Sequence, residues 1–540
     1  MDALYHTVDR LSYLLRDYDP LHLAVTVALG AVTVGYTACY VVVLNRTEKS
    51  IYKRARDSFF KLIRRIPFVK RLVKEEIDKV RADLMHSIHG EDTRANWFAC
   101  LPKDGLPSTE VIRLASDDLN SNKVPAYLDG RVSGAVFNNE RDKEEMELYK
   151  EIFSQYAYSN PLWPKLYPKV RKMEAEVVRM ACDLLGGDDQ TCGTMSTGGT
   201  ISILLACLAH RNRALARGVV FPEMILPSSA HAAFYKASEL FRIKAVKIPV
   251  DERTFRVDVA KMRKAINSRT CMLAGSAPNF PFGSVDDIEA IGRLGAEYDI
   301  PVHVDACLGG FLLPFLASPP RFDFRVPGVC SISADTHKYG LTPKGSSVVL
   351  YRNEEYRRNQ YFGDADWQGG IYASSTMEGS RSGMMIALTW SSMLYHGRGY
   401  YTEHAELIQE VTRKIRRGIE EIPEFRIQGG GDVCIVNWTS DSLDIYRFHD
   451  LIGTMGWQLG AMQFPNGVHI MVTQLHTAPG LAEEFLKDVW AVVEQMRKTP
   501  NEKPTGQAAI YGMAQKIPDR SLVKDLACTY LDACYSMPEH

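Results

Sequence analysis

Between roughly residues 170 and 350 the chain repeats one pattern, an amphipathic helical stretch followed by a short apolar run rich in β-formers. The runs include VVFPEMILP, AVKIPV, CMLAGSA, IPVHVDA and SSVVLY. This alternation predicts an α/β fold with a mostly parallel sheet, because parallel strands are usually joined by a helix. Ligands of such sheets bind beyond the carboxyl ends of the strands. Chemistry is therefore expected in the residues that directly follow these runs.

The first candidate segment is CGTMSTGGT, residues 192–200, which precedes the helical stretch ISILLACLAHRNRAL. Glycines and hydroxyl residues that open a helix leave backbone N–H groups at its positive end, where phosphate binds. A Ser/Thr cap after a flexible turn explains the same residues. The sequence contains no G-x-x-x-x-G-K-[ST] motif, so a nucleotide P-loop is not indicated.

Two further strand ends carry an acid and a base. Asp305 ends the apolar run of HVDACLGGF, and Lys338 follows a short strand in SISADTHKYG. A carboxylate at the mouth of a sheet needs a cationic or N–H partner to offset its desolvation, although an aspartate that caps the next turn is common. A partly desolvated lysine has a lowered pKa and can form an imine with an aldehyde, although most lysines in such places are surface residues.

The order of phosphate cradle, Asp305 and Lys338 is more specific than any one part. It is accompanied by SSAHAAFYKA, PKGSS, DADWQGGIYAS and AAIYGMAQ. Over nearly its whole length the sequence resembles the fold-type-I pyridoxal-phosphate (PLP) enzymes of the group II decarboxylase superfamily, most closely those that cleave phosphorylated sphingoid bases. The resemblance implies an aspartate aminotransferase-like large domain, a smaller α+β C-terminal domain, and a homodimer with shared active sites.

The resemblance also implies a role for each matching residue. Lys338 holds pyridoxal 5'-phosphate as a Schiff base, Asp305 pairs with the pyridine nitrogen, and His231 stacks on the ring. The residues implied in cofactor binding further include Ser196, Thr197, Gly198, Gly199, His337 and Gly379. Lys344 and Ser380 contact the substrate phosphate. No metal is implied.

The implied reaction is retro-aldol cleavage of a phosphorylated 2-amino-3-hydroxy long-chain base to phosphoethanolamine and a long-chain aldehyde, in sphingolipid degradation. An amino-acid decarboxylase on the same fold is the first alternative, disfavoured because no arginine stands out for a substrate carboxylate. A weakly active or non-catalytic membrane-tethered paralogue is the second. Release of carbon dioxide or of phosphoethanolamine distinguishes the first alternative from the lyase.

Four positions depart from the pattern of the family. Phe137 and Leu341 stand where tyrosines are common, Trp163 where a histidine is common, and Ile201 where a glutamate follows the glycines. Phe137 and Trp163 matter most, because a hydroxyl and an imidazole are candidate proton carriers or phosphate ligands. The sequence therefore leaves the general base open. Because the cofactor-handling residues are all present, we expect an active enzyme.

The N-terminal segment predicts a membrane anchor. Residues 21–44 contain no Asp, Glu, Lys or Arg, and a helix over residues 21–45 spans the ~30 Å hydrocarbon layer. Basic residues dominate the flank that follows, so the positive-inside rule places the catalytic bulk in the cytosol and residues 1–20 in the lumen. The resemblance implies the endoplasmic reticulum. A cleaved signal peptide is the alternative, disfavoured by the long apolar run and by the missing basic start.

Residues 46–90 are expected to form a basic cytosolic linker helix. Their interleaved aromatic and basic residues fit a helix on an anionic membrane surface, where phospholipid is the partner, or a helix that packs one face on the catalytic domain. The chain of 540 residues exceeds one core. We expect residues 91–165 to begin the catalytic unit, 166–391 to form the large domain, 392–500 the small domain, and 501–540 a tail that packs back.

The remaining composition narrows the class of protein. A net charge of −1 gives no indication of nucleic acid as a partner. Eleven cysteines without a C-x-x-C pair favour reduced, buried thiols over a disulfide scaffold or a zinc site. Cys307 is a less favoured candidate nucleophile beside Asp305. His469 and His476 are expected to serve packing or the surface rather than ligand binding.

Overall fold

The computed structural model describes residues 56, 58–60, 62–90, 97–117, 129–138, 142–430, 432–500, 502, 517 and 519–538. The predicted membrane helix over residues 21–45 lies outside these ranges. Among the described residues, no helix combines the length and the apolar character that crossing a bilayer requires.

The helices within the described ranges have the following bounds. In chain order they are α1 (Pro67–His89), α2 (Ser108–Asp117), α3 (Lys143–Tyr156), α4 (Pro168–Leu184), α5 (Gly199–Ala216), α6 (Ala232–Phe241), α7 (Val259–Ala265), α8 (Ile288–Tyr298), α9 (Glu354–Arg358), α10 (Gly383–Glu420), α11 (Ile445–Thr454), α12 (Leu481–Lys498) and α13 (Arg520–Cys534). Short 3-10 turns lie at Leu313–Phe315 and Gln474–Thr477.

Seven strands form the main sheet in the order β1-β7-β6-β5-β4-β2-β3. They are β1 (Cys192–Ser196), β2 (Glu223–Pro227), β3 (Lys244–Ile248), β4 (Thr270–Ser276), β5 (Val302–Asp305), β6 (Val329–Ala334) and β7 (Ser347–Tyr351). Strand β7 is antiparallel to β1 and β6, and the other neighbouring pairs are parallel. The predicted α/β fold with a mostly parallel sheet is confirmed as a mixed sheet with one reversed strand.

The crossover helices follow from local sequence. Helix α8 is one example, since the carboxylate of Asp287 caps it by accepting from the N–H of Ala290 at 2.9 Å. Ile288, Ile291 and Leu294 then recur at helical spacing and are buried in the core beside the sheet. The helix therefore packs one apolar face on the sheet and exposes the other.

The carboxyl ends of the parallel strands meet at one edge of the sheet. Ser196 pairs with Ser347, Ser276 with Asp305, and Asp305 with Ser333. The segments that follow β1, β5 and β6 therefore leave the sheet side by side. This is the edge at which the sequence predicts a ligand site.

A smaller unit follows the long helix α10. Its strands β10 (Phe425–Ile427), β11 (Ile435–Ser440), β12 (Gly460–Met462) and β13 (Gly467–Met471) form an antiparallel sheet in the order β10-β11-β13-β12. Trp438 of this sheet packs on Phe448 of α11 and Phe485 of α12, with ring centres 6.0 and 6.4 Å away. This packing has the α+β character predicted for the small domain. A separate hairpin joins β8 (Phe362–Asp364) to β9 (Tyr372–Ser374).

The domain limits stay predictions. The predicted limit at residue 392 falls inside α10, which is interrupted later, at Gly397 with a φ of 63°. His469 and His476 are buried in the small unit, where burial lowers the pKa of each to about 4. Both are therefore neutral packing residues at physiological pH.

Helix α1 packs against α13, and we call this pair the terminal clasp. Arg64 donates to Asp519 and to Asp525, in each case at 2.7 Å. At the other end, His89 Nε2 lies 3.1 Å from Ser536 Oγ. The C-terminal tail thus packs back, as expected, and it does so against the linker helix.

Candidate active site

A cavity of about 340 Å³ lies beyond the carboxyl ends of β1, β5 and β6. Its lining residues are Thr197, Gly198, Gly199, Thr200, Ile201, Ile203, His231, Cys307, Asp335, His337 and Lys338. The volume is at the small end of the range for ligand sites. Segments separated by more than a hundred residues thus converge on one cavity, and most of the predicted cofactor residues are among them.

The glycines after β1 form one wall of the cavity. Gly198 has a φ of 155°, a conformation that favours glycine, and α5 begins directly after it without a side-chain cap. A Cβ on Gly199 would lie 2.6 Å from Asp335 Oδ1 and 2.9 Å from Cys307 Sγ. Glycine is therefore required here, and the N–H groups of the first helical turn are left for a ligand.

Lys338 is paired with a carboxylate that the sequence analysis did not select. Its Nζ lies 2.9 Å from Asp335 Oδ2, and Asp335 is buried. Burial lowers the pKa of Lys338, but the charge and hydrogen bond of Asp335 outweigh it, so the pKa is raised above its usual value. The expectation of a lowered pKa is wrong for this state of the protein, because it considered burial without the partner.

His337 is held in one tautomer by the backbone. Its Nδ1 accepts from the N–H of Ser346 at 3.2 Å, so in the neutral ring the proton is assigned to Nε2. Nε2 lies 3.7 Å from Asp335 Oδ2. Burial lowers the pKa of His337 despite the nearby carboxylate. The ring therefore stands beside Asp335 as a neutral group.

His231 reaches the cavity from the start of α6. It caps this helix, because its Nδ1 accepts from the N–H of Ala233 at 3.2 Å. In the neutral ring the proton then lies on Nε2. The cap fixes the orientation of the imidazole that lines the cavity, and this placement is compatible with the predicted stacking role.

Asp305 and Ser196 lie behind the cavity wall rather than among its lining residues. Asp305 is buried, and its Oδ1 accepts from the N–H of Cys307 at 3.1 Å and from Ser333 Oγ at 3.5 Å. Ser196 Oγ lies 2.8 Å from Ser202 Oγ and donates to the carbonyl of Gly198 at 3.1 Å. The structure thus gives Ser196 a position that supports the glycine wall, and its predicted contact with phosphate stays a prediction.

Cys307 lines the cavity between the two carboxylates. Burial raises the pKa of its thiol well above the usual value, and Asp305 and Asp335 add to the effect. The thiol donates to Ser333 Oγ at 3.3 Å. A neutral thiol is a poor nucleophile, so the geometry favours a packing role for Cys307.

The predicted residues of the substrate side lie next to the cavity and do not line it. Thr197 Oγ1 donates to Glu378 at 2.8 Å, which ties the segment with Gly379 to the cavity edge. Ser380 Oγ accepts from Asn160 Nδ2 at 3.0 Å. The roles of Gly379 and Ser380 in binding stay predictions.

Lys344 belongs to the loop after Lys338. Its Nζ lies 3.5 Å from the carbonyl oxygen of His337 and 4.7 Å from the ring centre of Phe137. Phe137 is buried and meets Tyr339 edge to face at 5.0 Å. An aromatic ring therefore supports the lysine at a position where the family commonly has a tyrosine.

The other departures from the family pattern are placed differently. Ile201 lines the cavity. Leu341 is buried with a φ of 60°, a conformation that is strained for a leucine. Trp163 is 61% exposed. None of these side chains can carry a proton, so proton transfer falls to other residues of the cavity.

The residues present fit pyridoxal phosphate. The cavity combines a lysine amine, a glycine wall at a helix N-terminus, and a buried acceptor, Asp335 Oδ1, that has no hydrogen-bond partner among the described residues. Lys338 and His231 supply the amine and the ring that the cofactor requires. The sequence could have indicated Asp335, because it stands three residues before Lys338 and residues at this spacing can meet across one turn.

Comparison with known proteins agrees with this geometry. Residues 146–438 match the pyridoxal-dependent decarboxylase conserved domain. A sphingosine-1-phosphate lyase from Drosophila melanogaster is 42% identical over 518 residues, covering 95% of this chain and 93% of that protein. A sphingosine-1-phosphate lyase from Saccharomyces cerevisiae is 35% identical and covers 99% of this chain and 87% of its own length.

Solved structures show the same relationship. A sphingosine-1-phosphate lyase from Burkholderia pseudomallei superposes with a TM-score of 0.74 at 36% identity, covering 83% of this chain and 99% of that one. A glutamate decarboxylase from Lactobacillus brevis, at 22% identity and a TM-score of 0.65, shares the fold. The pyridoxal-dependent decarboxylase fold and a PLP cofactor are therefore established for this protein. By sequence and by structure, the chain belongs to the sphingosine-1-phosphate lyase family.

Proposed function

We propose that this protein is a PLP-dependent lyase that cleaves phosphorylated sphingoid bases into phosphoethanolamine and a long-chain aldehyde. The observation that carries the proposal is the convergence of Lys338, Asp335 and the glycine wall on one cavity, with Asp305 buried behind its wall. Relatives named as sphingosine-1-phosphate lyases align over nearly the whole chain, which supports the substrate class.

Bound pyridoxal phosphate supplies an electron sink for the pair released when the carbon–carbon bond of the substrate breaks. The protein would hold it with Lys338, the N–H groups at the start of α5, and His231. Asp305, buried behind the wall, would supply the carboxylate that pairs with the pyridine nitrogen of the cofactor. Asp335 accepts a hydrogen bond from Lys338 Nζ and favours the protonated form of the amine.

Four cavity side chains can exchange a proton during the reaction, namely His231, Asp335, His337 and Lys338. Phe137 and Trp163 offer no such group. The raised pKa of Cys307 excludes its thiolate at neutral pH. The proton of the substrate hydroxyl therefore passes to one of these four, or to a group on the substrate or cofactor.

The test uses full-length protein supplied with PLP and a phosphorylated sphingoid base. We expect phosphoethanolamine and aldehyde in equal amounts, without carbon dioxide. Borohydride reduction and peptide mapping should place the cofactor label on Lys338, and Lys338→Ala should lose both label and turnover. Carbon dioxide from amino acids would instead identify a decarboxylase. Bound cofactor without turnover of any chain length would identify a non-catalytic paralogue.

We also propose that residues 21–45 anchor the protein in the endoplasmic reticulum membrane with the catalytic unit in the cytosol. Near the start of the terminal clasp, large apolar side chains are exposed, and basic residues stand among them. The apolar residues are Phe59, Leu62, Ile66, Phe68 and Leu72, and the basic ones are Arg65, Lys70, Arg71 and Lys74. This surface fits the anionic face of a membrane. In sealed microsomes, added protease should digest the catalytic unit and spare only the span and the residues before it.

A homodimer is proposed for the region around Gly379. Trp367, Ile371 and Met377 are 56%, 87% and 46% exposed, and they precede Glu378, which bonds to the cavity residue Thr197. Covering such a patch with a second copy would bury apolar surface at the cavity edge. Light scattering of detergent-solubilised protein should give twice the chain mass, and Ile371→Asp should lower that mass and the activity together.

A further inference from the structure

Behind the cavity, a row of buried polar side chains crosses the interface between the main sheet and α5. His303 and Asp305 lie on one face of β5, and Ser331 and Ser333 lie beside them on β6, paired His303 with Ser331 and Asp305 with Ser333. His210 of α5 completes the row. All five are buried, and none of the four behind Asp305 lines the cavity.

Hydrogen bonds connect these residues into one chain. His210 Nε2 lies 2.7 Å from Ser331 Oγ, which lies 2.8 Å from His303 Nδ1. His303 Nε2 lies 3.3 Å from Ser333 Oγ, and Ser333 Oγ lies 3.5 Å from Asp305 Oδ1. Buried polar groups without a structural or functional reason are rare, because their desolvation must be offset. This buried row therefore calls for an explanation.

Along this row of hydrogen bonds, every donor is directed toward Asp305. Cys307 Sγ donates to Ser333 Oγ at 3.3 Å, and His303 Nε2–H approaches the same oxygen, so the hydroxyl hydrogen of Ser333 is directed to Asp305. His303 Nδ1 then accepts from Ser331, and Ser331 accepts from His210 Nε2–H.

The reversed direction is disfavoured at the far end of the chain. His210 Nδ1 is buried and has no hydrogen-bond partner among the described residues. In the assigned direction it is an acceptor, whereas reversal would make it an orphaned donor and would require a protonated Asp305. Orphaned buried N–H groups are rarer than unsatisfied acceptors. Burial also lowers the pKa of His303 to about 4 and that of His210 well below its usual value, so both rings are neutral.

We propose that His303, with Ser333 and Ser331, is a positioning device that holds the carboxylate of Asp305 turned toward the cofactor ring. It rests on the proposed role of Asp305 in cofactor binding. The neutral histidines supply directed donors without adding a positive charge that would compete with the cofactor for the carboxylate. Hydrogen bonds to a carboxylate favour its charged form.

Other charged or titratable groups also act on this carboxylate. They come from α5, from the segment after β5 and from the segment after β6, namely Cys207, Cys307, Asp335 and Lys338. Both thiols are neutral because burial raises their pKa well above the usual value. Asp335 and Lys338 offset each other as an ion pair. Two neutral donors therefore hold the carboxylate of Asp305, the N–H of Cys307 at 3.1 Å and the hydroxyl of Ser333 at 3.5 Å, and the buried row orients the second.

The experiment measures affinity for PLP in the full-length protein after the cofactor has been removed and returned. For Ser333→Ala we expect about tenfold weaker binding, because one donor to a buried charge is lost. The loss is expected at both pH 6 and pH 8, because the missing serine hydroxyl donor is uncharged at either pH. His303→Phe should match it. His303→Gln, which keeps a donor near the position of Nε2, should recover part of the affinity.

Two controls separate positioning from folding. His469→Gln alters a buried neutral histidine of the small unit, and it should lower the thermal midpoint without changing the dissociation constant for PLP or its pH dependence. Ser331→Ala keeps His303 and should give a loss smaller than that of Ser333→Ala. The absorbance of the bound cofactor against pH provides a second readout that general destabilisation does not move.

The proposal is overturned if Ser333→Ala and His303→Gln bind PLP as the unaltered protein does at both pH values, or shift no more than His469→Gln. Asp305→Asn distinguishes the two levels of the argument. If Asp305→Asn weakens PLP binding while Ser333→Ala and His303→Gln do not, the positioning role of His303 and Ser333 is wrong and the role of Asp305 stands. If Asp305→Asn itself binds PLP normally, the proposed role of Asp305 fails.

Discussion

The ends of β5 and β6 bring two buried carboxylates to the same cavity in opposite settings. Asp305 accepts hydrogen bonds from neutral groups, a backbone N–H and a serine hydroxyl. Asp335 faces the ammonium group of Lys338 at 2.9 Å, and its Oδ1 has no hydrogen-bond partner among the described residues. Neutral donors stabilise a charge in place, whereas a cationic partner with a nearby free acceptor is suited to exchanging a proton.

The two carboxylates therefore have different roles in the site. The side of Asp305 is built for a constant charge, supported from within the sheet. Asp335 stands beside a group whose charge must change, because Lys338 is charged when it is paired with Asp335 and neutral when it attacks an aldehyde. Substitutions at the two carboxylates should therefore differ in kind as well as in size.

The largest effect is expected from Asp305→Asn. Removal of a preorganised charge at the reacting centre should lower kcat/KM by about 10²- to 10³-fold. The measurement is phosphoethanolamine release by holoenzyme saturated with PLP, so that weak cofactor binding does not hide the result. An asparagine variant with more than a third of the original turnover would contradict a role as a fixed charge.

An intermediate effect is expected from Asp335→Asn, and it should appear in a pH profile. Asp335 raises the pKa of Lys338, so its removal lowers that pKa and leaves more neutral amine at a given pH. The pH of half-maximal incorporation of PLP into the cofactor-free protein should therefore fall, by about one pH unit or more. Stopped-flow absorbance measures this rate.

Glu378→Gln is the matched control, since Glu378 bonds to Thr197 at the cavity edge and makes no described contact with Lys338. Its midpoint should stay unchanged. A midpoint that rises in Asp335→Asn would mean that burial, rather than the carboxylate, controls the lysine.

The smallest effect is expected from Cys307→Ala. The thiol stays neutral because burial and the charges of Asp305 and Asp335 raise its pKa. Activity should change by less than about threefold, in line with the loss of one weak hydrogen bond. In the unaltered protein, iodoacetamide at pH 7 should modify the exposed Cys100, Cys528 and Cys534 before Cys307. Early modification of Cys307 with loss of activity would restore the nucleophile hypothesis.

Much of the site could be predicted because strand ends are readable from sequence. Lys338, His231 and the glycines follow apolar runs, and parallel strands bring such residues to one edge. The mixed direction of the sheet could not be read in the same way, because β7 is an apolar run like the parallel strands of the sheet. The fold class and the cofactor could thus be predicted, while the path of one strand could not.

What the sequence could not supply depends on register and on turn geometry. The chain from His210 to Asp305 exists because His303 lies opposite Ser331, which requires knowing how β5 and β6 are aligned. The pairing of Asp335 with Lys338 depends on the turn after β6, and without it the pKa of the lysine was predicted in the wrong direction. The prediction considered burial without Asp335, although Asp335 stands three residues before Lys338 in the sequence.

The terminal clasp has a consequence for how the protein is made. Helix α1 is synthesised more than 400 residues before α13, its packing partner. At about 5–20 residues per second, the ribosome needs roughly 20 to 90 seconds to cover that distance. During this interval the face of α1 that later meets α13 is without its partner, so nascent chains should engage chaperones there until translation reaches Cys534.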